Sequence, residues 1–127
     1  MIEPQNLLGE WIQLINTGDI ESLLKLYDRE AILMPTFSKI ILSKPEKLRE
    51  YFESLGARKE LNVTIYEDTL VIQEIQKQIF SLSGIYKWQF IHDGVLNNFE
   101  ARFTYLVNLS KVSPILHHHS SLMPHEL

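Results

Sequence analysis

Hydrophobic residues in the first half of the chain recur at helical spacing. Leu7, Trp11 and Ile15 fall on one face of a predicted helix. Pro4 suits the first turn of that helix, because the missing N–H of proline has no partner there in any case. Gly18 is expected to end it. The chain therefore opens with an amphipathic helix that needs an apolar surface to pack on.

Two further helices are predicted before the pattern changes. The second follows directly and is capped by Thr17 or Asp19, and its buried face is expected to carry Ile20, Leu23, Leu24 and Tyr27. The third has the start signal of a serine followed three residues later by a glutamate, at Ser43 and Glu46, and a natural stop at Gly56.

The second half of the chain alternates with period two, which is typical of strands. Strands are predicted at 31–34, 62–67, 69–75, 78–92, 99–109 and 115–123, and 39–42 is either a short strand or an extended loop. His92-Asp93-Gly94 and Asn97-Asn98 supply turn residues. Helices followed by a run of strands indicate an α+β fold, with helices covering one face of a mostly antiparallel sheet.

Two late strands carry polar residues inside this apolar pattern. On the strand at 99–109, Arg102 and Thr104 share one side, and Phe103, Tyr105 and Val107 share the other. The second group implies an exposed apolar face that a second copy of the chain would cover.

The last strand contains three consecutive histidines. His118 and Ser120 share one face, and His117, His119 and Ser121 share the other. Two histidines spaced like His117 and His119 are able to ligate one metal ion, but no third ligand lies near in sequence. No metal and no cofactor are therefore expected, and packing of these histidines across a dimer axis is the other interpretation.

Composition narrows the class of protein. The 127 residues suit one domain, 1–127, with a hydrophobic fraction of 45%. The net charge of -4 and the scattered Lys and Arg argue against nucleic-acid binding. The chain has no cysteine, no apolar run that could span a membrane and no signal-peptide pattern at its start. A cytoplasmic location is expected.

Several stretches resemble the association (hub) domain of calcium/calmodulin-dependent protein kinase II and its bacterial stand-alone relatives, within the nuclear transport factor 2-like (SnoaL-like) superfamily. They are Asn-Thr-Gly-Asp-Ile-Glu-Ser at 16–22, Leu-Tyr-Asp at 26–28, Tyr-Phe-Glu at 51–53, Glu-Ala-Arg at 100–102 and Ile-Leu-His-His-His-Ser-Ser at 115–121. The resemblance implies a cone in which a curved sheet wraps the first helix, with a pocket between them and a dimer interface on the opposite face.

The same resemblance places Arg102 in the pocket, where the kinase hub has an arginine. Ser120 and Tyr86 fall where the hub has two more. Arg102 would then hold a ligand carboxylate by its planar fork. The alternative is an internal salt bridge to Glu100, or to Asp28 or Glu30 at a helix end.

The remaining candidate pocket residues are aromatic or titratable. His118 is expected to point into the pocket beside Arg102, as a hydrogen-bond donor or a general base. Tyr86 and Trp88 offer an aromatic wall, although a plain core role is favoured for Trp88. The predicted ligand pocket is completed by Thr104, and its residues are Arg102, His118, Ser120, Tyr86, Trp88 and Thr104.

Three functions remain open. The favoured one is a domain that binds a small carboxylate and forms a homodimer through its sheet, with no catalysis. The second is a cyclase or isomerase that uses His118 or a helix-end carboxylate as base. The isomerase route is disfavoured because Met34 stands before Pro35, where that chemistry needs a carboxylate. The third is an oligomerisation (hub) module.

Overall fold

Helices come first and strands follow in the computed structural model, which describes residues 3–126. Its elements are α1 (Pro4–Thr17), α2 (Ile20–Lys25), β1 (Tyr27–Met34), α3 (Pro45–Gly56), β2 (Lys59–Gln76), β3 (Ile79–His92), β4 (Val95–Asn108) and β5 (Ile115–Leu122). This order confirms the predicted α+β class. No helix within residues 3–126 has the length and apolarity needed to cross a membrane.

Three predicted helix ends can be compared with the structure: the end of α1, the N-cap of α2 and the N-cap of α3. The first two agree with the local sequence signals. Gly18 ends α1 in the left-handed region, with φ 73°, which glycine adopts without strain. Asp19 caps α2 by accepting a hydrogen bond from the backbone N–H of Ser22 at 3.1 Å. The predicted cap of α3 is wrong. The N-cap there is Lys44, not Ser43, and it makes no side-chain cap hydrogen bond.

The five strands form one mixed sheet in the order β1-β5-β4-β3-β2. β1 and β5 pair in parallel, and the other pairs are antiparallel. The two strands predicted at 62–67 and 69–75 are one long strand, β2, with a register shift between Tyr66 and Val71. Asp93 and Gly94 turn the chain with φ of 52° and 75°, whereas Asn97 and Asn98 lie within β4.

Segment 39–42 belongs to the connection between β1 and α3. It is an extended loop, tied to the sheet edge by one antiparallel bridge between Leu42 and Leu33. Of the two structures considered for this segment, the loop is the one observed.

The core lies between α1 and the inner face of the sheet. The ring of Trp11 stacks at 6.0 Å on Tyr86 and meets Tyr105 edge-on at 5.6 Å. Phe103 and Val107 are also buried on this face. The expectation that Phe103, Tyr105 and Val107 form an exposed apolar face is therefore wrong, because α1 and its neighbours already cover them.

Candidate functional site

His118 occupies the centre of the core and is 2% exposed. β5 places it opposite Tyr105 of β4, and the two rings stack with centroids 3.9 Å apart. Trp11 of α1 packs edge-on against the same imidazole at 5.5 Å. A titratable ring is thus enclosed by aromatic side chains from a helix and a sheet.

Hydrogen bonds at its two ring nitrogens connect His118 to two tyrosines. The Tyr27 hydroxyl lies 2.8 Å from Nδ1, and the Tyr86 hydroxyl lies 3.3 Å from Nε2. Trp11 donates its indole N–H to the Tyr27 oxygen at 3.0 Å. Because that oxygen already accepts from Trp11, its own proton is free to go to Nδ1. The arrangement that satisfies every group leaves Nδ1 unprotonated and lets Nε2–H donate to Tyr86.

The enclosure also sets the charge of His118. Burial lowers the pKa of its imidazole from 6.5 to about 3, and His117 and His119 on either side lower it further when they are charged. His118 is therefore neutral at physiological pH. Burial likewise raises the pKa of Tyr27 and Tyr86, so both phenols remain protonated, and Tyr27 continues to donate to Nδ1.

Polar groups continue from Tyr86 towards the protein surface. The hydroxyls of Ser120 and Thr36 oppose the rise in the Tyr86 pKa, and they are hydrogen-bonded to each other. Trp88 is 2% exposed, and its indole nitrogen has no hydrogen-bond partner within residues 3–126. The structure thus brings His118, Ser120, Tyr86 and Trp88 together inside the core.

The interior contains little free space. Phe37 covers the end of the core at Trp88. Its ring centroid lies 5.8, 5.3 and 5.4 Å from those of Trp88, Phe90 and Phe99. A cavity of about 10 Å³ lies between α1 and the sheet, which is room for about one water molecule. In this conformation the His118 cluster is a packed polar core and not an open pocket.

Arg102 and Thr104 lie on the other side of the sheet. Both are exposed, and the β4–β5 register sets Arg102 opposite Ser121 and Thr104 opposite His119. The expectation that Arg102 shares a pocket with His118 is therefore wrong. The register of β5 against β4 was not predictable from local patterns, and a shift of one residue moves every side chain of a strand to the opposite face.

Around Arg102 the outer surface forms a shallow depression of about 430 Å³. Arg102 has no hydrogen-bond or ion-pair partner within residues 3–126, so none of Glu100, Asp28 and Glu30 makes the internal salt bridge considered above. Asp28 instead pairs with Lys111 at 2.6 Å.

His117 and His119 face outward with Ser121. Among residues 3–126, no group of three or more His, Asp or Glu side chains is arranged to hold a metal ion. The interpretation of these two histidines as packing residues of an interface stays a prediction.

Three residues of the His118 cluster were missed by the sequence analysis: Trp11, Tyr27 and Thr36. Trp11 was assigned to the helix stripe and Tyr27 to the second helix. Their contacts to His118 and Ser120 join residues far apart in sequence, and no local pattern reports such a contact.

Comparison with known proteins identifies the family. The family model for the calcium/calmodulin dependent protein kinase II association domain matches residues 2–124, nearly the whole chain. The chain belongs to this association-domain family. No curated protein sequence matches the chain.

Solved structures agree with the association-domain assignment at the level of the fold. A protein from Xanthomonas campestris, provisionally described as such an association domain, has a TM-score of 0.83 and 23% identity, over 94% of this chain and 85% of that one. The beta subunit of benzoate 1,2-dioxygenase from Burkholderia mallei has a TM-score of 0.79 and 13% identity, over 97% and 92%.

A provisionally described scytalone dehydratase from Novosphingobium aromaticivorans has a TM-score of 0.80 and 5% identity, over 97% of this chain and 85% of that one. At these identities the likeness shows the fold alone. It confirms the nuclear transport factor 2-like cone predicted for this association domain.

Proposed function

We propose that this association domain pairs with a second copy of itself through the outer face of its sheet. The observation that carries the proposal is the chemistry of three neighbouring rows of residues on that face, called here the outer grid. The rows, read from β3 through β4 to β5, are Ser81-Leu106-His117, Ser83-Thr104-His119 and Ile85-Arg102-Ser121. Arg102 is the one permanently charged residue in the outer grid.

This composition suits a buried interface better than a solvated surface. A sheet face that remains in water usually carries many charged side chains, whereas the centre of an interface has few of them and is enriched in arginine. The rows continue onto β1 through Ile32, which is 36% exposed, and Met34. All three helices pack on the inner side, so no helix within residues 3–126 covers the outer grid.

A twofold axis through the outer grid would give Arg102 a carboxylate partner, which it lacks within one chain. In a symmetric dimer each surface patch meets its own copy. Arg102 and Glu100 lie two residues apart on the same face of β4. Reciprocal pairing of these two side chains across the axis is therefore available to two copies and absent within one.

The enzymatic alternative receives less support. An efficient general base has a pKa near the working pH and reaches its substrate directly. His118 has a pKa lowered to about 3 by burial, and both its ring nitrogens are held by tyrosines. A small carboxylate bound at Arg102 needs no catalysis and is the second candidate, because the guanidinium faces a depression without an internal partner.

Sedimentation velocity at micromolar concentration tests the proposal. We expect the 14.9-kDa chain to sediment as a dimer. Thr104→Arg adds a charge at the centre of the outer grid and should give monomers. Gln13→Arg adds the same charge at an exposed position of α1 and should leave the dimer intact. A monomeric wild-type chain, or a Thr104→Arg dimer, would overturn the proposal. Repeating the run with added acetate tests whether a carboxylate competes at Arg102.

A further inference from the structure

A long groove is lined by other residues than those of the His118 cluster and the outer grid. It runs between α3 and the connection from β1 to α3, and encloses about 610 Å³. This volume falls within the range of small-molecule sites. The residues that line it on the α3 side recur at helical spacing, so the groove follows the length of the helix (Lys44, Lys47, Tyr51, Ser54, Leu55 and Arg58).

The opposite wall of this groove is apolar. Ile40 and Ile41 stand on the connection with 61% and 58% of their surfaces exposed, and both line the groove with Phe37 and Leu42. Two adjacent exposed isoleucines leave apolar area in contact with water, and covering that area is favourable. The groove therefore offers an apolar strip to a ligand with an apolar body.

Charge in the groove is positive although the whole chain carries a net charge of -4. Its lining includes the cations Lys44, Lys47 and Arg58, against one anion, Glu50, which pairs with Lys47 at 3.4 Å. Arg58 has no carboxylate partner within residues 3–126. Its guanidinium is fixed over the Phe90 ring at 4.6 Å, with the His92 ring nitrogen at 3.4 Å.

Tyr51 supplies a second, independent feature beside Arg58. Its hydroxyl oxygen accepts a hydrogen bond from the backbone N–H of Phe37 at 3.3 Å, and its proton has no acceptor within residues 3–126. Burial raises the pKa of Tyr51 to about 12, against the opposing charge of Arg58. At neutral pH the groove thus contains a phenol with an unused proton near a fixed guanidinium.

We propose that this groove binds an amphiphilic carboxylate, with the carboxylate on Arg58 and the Tyr51 hydroxyl and the apolar body along Ile41 and Leu55. The guanidinium and the phenol both donate, and a carboxylate only accepts, so the two sides match. The residues of the site lie on α3, on the β1–α3 connection and, for Arg58, directly after α3, and none of them belongs to the outer grid. Ile40 and Ile41 also border a depression that contains His119 and Ser121 of the outer grid, so the oligomeric state is measured for every variant.

Isothermal titration calorimetry with decanoate, and with decanol as its neutral analogue, tests the proposal. Saturable decanoate binding is expected, with decanol about tenfold weaker or more, since a hydrogen bond to a charged group contributes at least that factor. A parallel titration with 2-naphthoate distinguishes an acyl body from an aromatic one. Failure of decanoate and 2-naphthoate to bind would overturn the proposal.

Variants locate the site. Arg58→Gln should weaken decanoate binding about tenfold to a hundredfold, and Tyr51→Phe by a smaller factor. Ile41→Glu places a negative charge on an exposed loop position, where folding is not at risk, and should abolish binding. Arg29→Gln changes an exposed arginine outside the groove and should bind as the wild type does. Equal binding by the wild type and by Ile41→Glu would refute the assignment, whatever the oligomeric state.

Discussion

Tyr105 and His118 face each other across β4 and β5 with their rings stacked 3.9 Å apart. Tyr105 is buried too, but its hydroxyl has no hydrogen-bond partner within residues 3–126, whereas His118 has a partner at each nitrogen. The polar atoms of His118 are therefore satisfied by hydrogen bonds in the core, whereas the buried Tyr105 hydroxyl lowers the stability of the fold.

Removing the hydroxyl of Tyr27 should destabilise the protein, and removing that of Tyr105 should not. Tyr27→Phe leaves the Trp11 indole N–H and the His118 Nδ1 without partners, which costs about 1–3 kcal/mol for each buried group. Tyr105→Phe removes an unpartnered polar atom and is expected to be neutral or stabilising by up to about 1 kcal/mol. Urea unfolding of the two variants gives the comparison. Equal losses would contradict the network as described.

The neutrality of His118 predicts a loss of stability in acid. The unfolded chain takes up a proton on this histidine below its ordinary pKa of 6.5, and the folded chain does so only near its lowered pKa of about 3. Acidification between these values therefore favours the unfolded state, by about 1.4 kcal/mol per pH unit from this group alone. Above pH 6.5 the penalty disappears.

Urea unfolding between pH 7 and pH 4 measures this slope. His118→Gln should lower the slope by one proton equivalent relative to the wild type. His125→Gln alters an exposed histidine and should keep the wild-type slope. If His118→Gln and the wild type lose stability in parallel, His118 does not carry the effect.

Phe37 is predicted to seal the core against small molecules. Trp88 is 2% exposed, and Phe37 packs on it edge-on at 5.8 Å. Phe37→Ala should expose Trp88 to solvent and increase the quenching of tryptophan fluorescence by acrylamide. Phe80→Ala removes the same side chain from the partly buried surface of β3 and serves as the control. Unchanged quenching in Phe37→Ala would show that the interior is closed by other contacts.

Glycine 84 should be intolerant of a side chain. A Cβ added at Gly84 would lie 3.0 Å from the Phe103 ring and 3.2 Å from the Thr69 hydroxyl, which already bonds Tyr66 and Ile85. We expect Gly84→Ala to cost about 1–3 kcal/mol. A Cβ added at Gly9 on α1 would meet no atom within 4 Å. Gly9→Ala should therefore raise the free energy of unfolding by about 1 kcal/mol. Thermal unfolding of both variants gives the signs, and a stabilised Gly84→Ala would contradict the close packing.

Local patterns in the sequence predicted the class of fold and most element positions. The apolar stripe of α1, the stop at Gly18 and the Asp-Gly turn all rest on contacts within a few residues, and each is found in the structure. The order of helices and strands predicted a mostly antiparallel sheet, which the structure also has.

The relative placement of the polar residues was not predictable in the same way. Alternation correctly separated Arg102 from Phe103, and His118 from His119, but it could not align the two strands with each other. The β4–β5 register sets Phe103 opposite Ser120 and Arg102 opposite Ser121. That register depends on packing against α1, so the division of the predicted pocket between the two faces emerges only from the tertiary structure.

The parallel pairing of β1 with β5 has a consequence for how the chain folds. β1 is the first described strand in chain order, and the partner that satisfies its backbone is the last described strand. Until β5 emerges, β1 lacks that neighbour, and Trp11 and Tyr27 lack the imidazole that completes their hydrogen bonds. Contacts between such distant segments slow folding, because a large loop must close before they form. The sheet of this association domain is therefore expected to assemble only after most of the chain has left the ribosome.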